Sequence, residues 1–216
     1  MLFTSRDSLV ISTPLMIQHF ARFGMDIHVG SQQKLSKSEA MFVAAPAIMY
    51  ENPDTYDDQD LSDIDLGNGT FIPVVDIFRY LGSQLSRDCR DDADVISRIE
   101  SAGNAFGALR QCLFSSPHIS FLTKKLVYIA LILSILLYGC ECWCLTEKLY
   151  RMFHRRCVRA MCRVNRKHTR DHRISNTELL NRLGLSNIDS YVTRRQLRWA
   201  GHVARMDMQR LPRKML

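Results

Sequence analysis

At 216 residues, 46% of them hydrophobic and 24% charged, the chain has an ordinary globular composition, which excludes a disordered tail and a fibrous repeat. Its net charge of +7 divides into −8 over residues 1–100, with 8 Lys and Arg against 16 Asp and Glu, and +15 over residues 101–216, with 21 against 6. A basic half of that size points to a polyanion, nucleic acid first among them, with a solvated cationic helical face as the plain alternative.

Residues 8–23 carry apolar side chains at helical spacing, Leu15, Ile17, Phe20 and Phe23 foremost. Pro14 predicts that the regular helix opens near Thr13, with Thr13 as cap, Pro14 at the first helical position and Gly24 past the end. Residues 25–29 alternate like a half-buried strand closed by Gly30, and residues 39–44 are a second strand candidate. Residues 46–69 hold Asp54, Asp57, Asp58, Asp60, Asp63 and Asp65 with few apolar side chains, which predicts a solvated loop or insertion. Two further strands are expected over 70–75 and 77–85, with Pro73 demoting the first to an edge.

From residue 92 the pattern is helical. Residues 93–112 place Ile96, Ile99, Ala102, Phe106 and Leu109 on one stripe. Ser120 or Thr123 caps an apolar helix reaching Tyr138. Residues 147–165 form a very basic helix, residues 176–183 a short one ended by Gly184, and residues 191–206 the last long one. The fold class is therefore α+β: a small β-containing part followed by an all-α domain.

Residues 126–140 contain no charge and imitate a membrane span, but a bilayer needs about twenty apolar residues. Lys124, Lys125 and Glu141 flank the run closely. A buried helix is expected, no membrane partner, and a small membrane-associated helical protein is the reading this sets aside. Seven cysteines, an odd number in a chain of this length, suggest a reducing compartment, cytoplasm or nucleus. No basic stretch leads into a long apolar core near Met1, so neither a signal peptide nor secretion is expected.

Four stretches stand out in order: Phe78-Arg79-Tyr80-Leu81-Gly82-Ser83 with Ala105-Phe106-Gly107-Ala108-Leu109; Leu137-Tyr138-Gly139-Cys140-Glu141-Cys142-Trp143; Arg155-Arg156-Cys157-Val158-Arg159; and the run from Arg194 to Met206, RRQLRWAGHVARM. Together they resemble the C-terminal part of LINE-type, non-LTR retrotransposon reverse transcriptases, over essentially the whole chain. The resemblance implies a palm remnant at 1–45, the acidic loop or insertion at 46–69, a primer-grip-like hairpin at 70–91, and a helical thumb with a basic extension at 92–216. It also implies that the Tyr-x-Asp-Asp box, whose carboxylates hold two Mg²⁺ ions in the intact family enzyme, lies before the segment matching Met1–Ser5. The expectation is a truncated or decayed retroelement product with no catalytic residue and no cofactor of its own. The alternative is an incomplete gene product of an active RNA-directed DNA polymerase. Tyr56-Asp57-Asp58 imitates the box, but it lacks the intervening residue and sits in a polar loop without a rigid mount.

The expected partner is RNA or an RNA–DNA hybrid, with no small-molecule substrate. Arg151, Arg155, Arg159 and Arg163 recur at helical spacing, and Arg194, Arg195, Arg198 and Arg205 lie on the last helix. Guanidinium groups contact phosphates bidentately and stack on bases, which suits sequence-independent contacts. In that last helix Leu197, Trp199, Ala200 and Val203 are expected to bury the opposite side, and Gly201 to permit close helix approach. Arg79 is expected to point outward between inward-packed Phe78 and Tyr80. Lys37 matches the family's motif lysine. Cys157, Cys162, His168 and His172 approach a zinc pattern, but Cys157 and Cys162 point in different directions on a helix, so no metal is expected.

Overall fold

Ser5 decides where the first helix begins. Its hydroxyl accepts from the Ser8 N–H while the Ser8 hydroxyl accepts from the Ser5 N–H, a reciprocal capping box. Helix α1 therefore runs Arg6–Ala21, with Pro14 inside it, and the expectation that Pro14 opens the helix is corrected. Thr13 is buried there, its hydroxyl donating to the Leu9 carbonyl at 2.7 Å. The computed structural model describes residues 2–3, 5–31, 34–43, 62–143 and 149–214, and it resolves into two units, Met1–Arg90 and Asp91–Leu216.

In the first unit the sheet differs from expectation. Residues 25–29 are irregular, and over the described part of 39–44 the pairing is an isolated bridge from Ala40 to Val74. The strands are β1 Gly30–Ser31, β2 Ile64–Gly67 and β3 Thr70–Ile72, antiparallel in the order β1-β3-β2. Asn68 and Gly69, at φ 54 and 70, join β2 to β3. Two successive positive φ values suit the twist of a tight hairpin. Residues 64–67, expected within a polar loop, are thus a strand that buries Ile64 at 1% exposure. Residues 44–61, with Tyr56-Asp57-Asp58, lie outside the described residues.

The stretch 77–85, read from its pattern as one strand and from the resemblance as part of a hairpin, is a hairpin: β4 Ile77–Tyr80 pairs antiparallel with β5 Ser83–Ser86 across Leu81 and Gly82. Phe78 and Tyr80 share one face, their rings stacked 6.4 Å apart. They are not core. Tyr80 is 56% exposed and Phe78 half-buried, because a two-stranded ribbon cannot enclose its own aromatic face.

The second unit is built on helix α2, Asp92–Leu109, which continues through a wide turn, Arg110–Phe114. Against it packs a helix in three pieces: α3 Phe121–Val127, a wide turn Tyr128–Ile132, and α4 Leu133–Leu136. Ser120 caps it, its hydroxyl accepting from the Thr123 N–H. Phe106 and Phe114 stack at 4.4 Å, and Tyr128 meets both edge-on at 6.4 and 6.2 Å. The uncharged run of the sequence is thereby explained as a half-buried helix. Tyr128, Ile132 and Leu136 are fully enclosed while Leu126 and Leu131 face outward. Among the described residues no helix is long and apolar enough to cross a membrane.

The remaining helices wrap this pair. Helix α5, Leu149–Met161, ends four residues earlier than the expected 165, since Cys162 and Arg163 turn away, Arg163 at φ 59. The buried ammonium of Lys124 donates to the Met161 carbonyl at 3.4 Å, satisfying an acceptor at the α5 C-terminus. Burial, then repulsion from Arg163, holds Lys124 below its ordinary value. Helix α6 spans Arg166–Asp171 and α7 Asn176–Leu183. Gly184 follows α7 at φ 62, with the Lys125 ammonium 3.1 Å from where a Cβ would stand. Helix α8, Ile188–Ala204, starts before the expected residue 191. Asp189 in its first turn accepts from the Tyr150 hydroxyl at 3.1 Å and from Arg151 Nε at 2.8 Å, tying α8 to α5. A last turn, α9, spans Leu211–Lys214.

His154 lies inside this core, 2% exposed, with its Nδ1 2.8 Å from the Tyr128 hydroxyl. Burial, outweighing the nearby Ser186 backbone and Asp189, lowers its pKa from 6.5 to about 4. A depressed value means that the unfolded chain binds the proton first, so stability is complete above pH 6.5 and declines as pH falls toward 4. The loss should reach about 3 kcal/mol across that window. Denaturant titrations at pH 7 and 4.5 measure it. His154→Phe should flatten this component of the profile; an unchanged slope in that variant contradicts the assignment.

Candidate nucleic-acid interface

Helix α8 carries two adjacent stripes. Arg194, Arg198, Gly201 and Arg205 follow one another at four-, three- and four-residue steps, and Arg195, Trp199 and His202 do so alongside. The helix buries a different set: Ile188, Val192 and Val203. The expectation that Leu197 and Trp199 bury is corrected, since Leu197 is 67% and Trp199 46% exposed. Arg195, Arg198, Trp199, His202 and Arg205 instead line one cleft of about 480 Å³, closed on one side by Glu141.

The cleft has a built floor. Gly139, left-handed at φ 78, follows the end of α4 and leads into a short tight turn, Cys140–Cys142. Arg195 Nη1 donates to the Leu137 carbonyl at 3.0 Å and lies 3.9 Å from a Glu141 carboxylate oxygen. The Gln196 side-chain amide donates to the Trp143 carbonyl at 2.9 Å and to the Cys140 carbonyl at 3.4 Å. These bonds satisfy carbonyls at a helix end and clamp α8 across it. Arg195 is therefore a positioning residue, held by the Leu137 carbonyl with Glu141 nearby.

Arg198 and Arg205 are different. Both are exposed, and among the described residues neither is in an ion pair. Arg205 folds back so that its Nη1 stands 3.2 Å from where a Gly201 Cβ would be. The expectation that Gly201 admits a neighbouring helix is corrected: the glycine makes room for a guanidinium of its own helix. Trp199 and His202 stack loosely beside it, ring centroids 5.4 Å apart at 39°. A cleft lined by an exposed indole and two guanidiniums offers surfaces for stacking and for bidentate phosphate contacts together.

Gly201→Ala is expected to stabilise α8 by about 1 kcal/mol, by the helix-propensity difference, while displacing the Arg205 guanidinium. A thermal melt and an RNA titration on the same variant should move in opposite directions. Equal or tighter RNA binding would contradict the placement of Arg205.

The other residues expected to bind are spread out. On α5, Arg155 is exposed and Arg159 half-buried. Burial, then repulsion from Arg166 and Arg155, holds Arg159 below its ordinary value. That is a second cluster of like charge. Arg151 is engaged by Asp189, and Arg163 lies beyond the helix end, so the expected four-arginine stripe is corrected to Arg155 and Arg159. Arg194 is exposed on α8 outside the cleft lining. In the first unit, Arg79 is exposed on β4 opposite Gln84, and exposed Lys37 donates its backbone N–H to His28 Nδ1 at 3.2 Å.

The cysteine and histidine set does not converge. Cys157 is buried beside Tyr128, with burial pushing its thiol up to about 12. The Cys162 thiol donates to the Leu179 carbonyl at 3.8 Å. His168 on α6 and His172 just past its end stack on each other at 4.1 Å. Among the described residues no three His, Cys, Asp or Glu side chains gather as metal ligands would.

Trp199, His202 and Glu141 are the cleft residues that sequence reasoning missed. The signal was present in the sequence as Arg-Trp and Gly-His at three-residue spacing, but a tryptophan in an amphipathic helix is ordinarily assigned to the core. No family model, curated protein or solved structure matches this chain.

Proposed function

We propose that the helical unit binds nucleic acid through its backbone, sequence-tolerantly, with RNA or an RNA–DNA hybrid as the partner. In the same proposal the chain corresponds to the palm-end, primer-grip and thumb region of a LINE-type reverse transcriptase and does not polymerise by itself. The observation that carries the reading is the α8 cleft, lined by Arg198 and Arg205, which have no ion pair among the described residues, together with an exposed tryptophan. The like-charge cluster of Arg155, Arg159 and Arg166 supports it, because mutually repelling guanidiniums are relieved by a polyanion. The ordered motifs from Phe78 to Met206 support the family reading.

The test is fluorescence anisotropy with a labelled RNA–DNA hybrid on the full 216-residue chain. Arg198→Ala and Arg205→Ala should each weaken binding about tenfold or more, as expected for losing a charged hydrogen bond. Both sites are exposed, so melting temperatures should stay unchanged. Wild-type affinity in the double variant would overturn the cleft as the site. Magnesium-dependent nucleotide incorporation by the purified chain would overturn the non-polymerising part.

A further inference from the structure

Phosphate contact alone explains the arginines of α8 but not Trp199. A tryptophan 46% exposed, on a helix whose buried side is made by Ile188, Val192 and Val203, contributes little to the core. It lines the same cleft as Arg198 and Arg205. Arg198 precedes it, and the Arg205 guanidinium is folded back to the level of Gly201. His202 stands one turn on, its ring 5.4 Å away.

Size narrows the ligand. A cleft of about 480 Å³ lies in the range of small-ligand pockets, so it accommodates about one nucleotide unit. A double helix presents only phosphates and groove edges to such a surface, because its base faces are stacked. An indole needs an exposed base face, which only an unpaired nucleotide provides. We infer that the α8 cleft is a base-stacking subsite for one unpaired nucleotide of a nucleic-acid strand, the base on Trp199 and its flanking phosphates on Arg198 and Arg205. This rests on the phosphate-binding reading and gives it a preference: single-stranded or overhanging nucleic acid binds more tightly than a blunt duplex. Glu141 contributes to the selection. Its carboxylate lies 3.9 Å from Arg195 Nη1, so Arg198 and Arg205 are the groups assigned to phosphate.

The chain contains two tryptophans, of which Trp143 is buried at 5% exposure, so quenching of intrinsic emission by a ligand reports mainly on Trp199. The probes are a ten-nucleotide single-stranded RNA, the blunt duplex of the same sequence, a strand of equal length with abasic ribose at every position, and free AMP. The intact single strand should quench emission; the duplex and the abasic strand should not. Trp199→Phe should remove most of the quenching yet keep near-native affinity. Trp199→Ala should lower affinity for the single strand about tenfold and leave the duplex nearly unaffected.

Equal affinity of Trp199→Ala and wild type for the single strand overturns the subsite, as does abasic RNA binding as tightly as intact RNA. If duplex and single strand then still bind in a salt-sensitive way, the phosphate-binding reading survives and only stacking is lost. If no probe binds, both fall. AMP binding as tightly as the ten-nucleotide strand overturns a nucleic-acid occupant in favour of a free nucleotide.

Discussion

Asp94→Ala is expected to lower the stability of the helical unit by about 3–5 kcal/mol, the effect of removing one member of a buried ion pair. Asp94 is 5% exposed on α2. Its Oδ2 accepts from the Trp143 indole N–H at 3.0 Å, and its Oδ1 lies 3.5 Å from Arg98 Nε one turn along the helix. The Arg98 guanidinium in turn stacks over the Tyr138 ring at 4.5 Å. Removing the carboxylate strands an indole N–H and weakens the hold on a largely buried guanidinium. Because Trp143 also accepts from Gln196 through its carbonyl, the loss should spread to the α8 cleft. Urea denaturation followed by circular dichroism reads the stability. Asp94→Asn, which keeps an acceptor for the indole, should lose less than Asp94→Ala; equal losses would show that the hydrogen bond is not the link.

Raising monovalent salt from 50 to 200 mM is expected to weaken RNA binding by about 10³ to 10⁵, if six to ten phosphates are neutralised. Exposed cations available for this include Arg198 and Arg205 in the cleft, Arg194 beside it, Arg155 and Arg156 on α5, and Arg163, Arg166, Lys167 and Arg170 between the end of α5 and the end of α6. The slope separates two arrangements. Contacts limited to the cleft would neutralise about two or three phosphates and give a log–log slope near −2 to −3, whereas an extended surface gives a slope several units steeper. Anisotropy titrations at four salt concentrations distinguish them. A flat response contradicts both.

The parts of the fold that could be read directly from the sequence are those set by local chemistry. Ser120 caps the apolar helix, and Gly184 ends α7 at φ 62, because capping and left-handed turns depend on a few neighbouring residues. The N-terminal misreadings have the same local character. Pro14 suggests a helix start only when the stronger Ser5–Ser8 capping box upstream is overlooked. Asn68-Gly69, flanked by Ile64, Leu66, Phe71 and Ile72, is a hairpin signal concealed by the aspartates around it.

What was not legible depends on distant partners. Asp94 looks like an ordinary first-turn acid, and only its meeting with Trp143, 49 residues away, explains its burial. Arg151 and Arg195 look like their exposed neighbours, yet Asp189 and the Leu137 carbonyl claim them for the architecture. Periodicity placed Arg194, Arg195 and Arg198 on the last helix, which is α8, and Arg205 at its end. It could not show that α8 packs through Ile188, Val192 and Val203, which leaves Trp199 on the outside.

The most direct test of the claim that nucleic acid seats on α8 is ultraviolet crosslinking of a uridine-containing RNA to the full chain, followed by peptide mass spectrometry. Crosslinks should concentrate on the peptides spanning residues 194–205, with Trp199 and His202 as attachment points, and should fade as salt rises. Crosslinks confined to Met1–Arg90, or spread without preference over the surface, would contradict it.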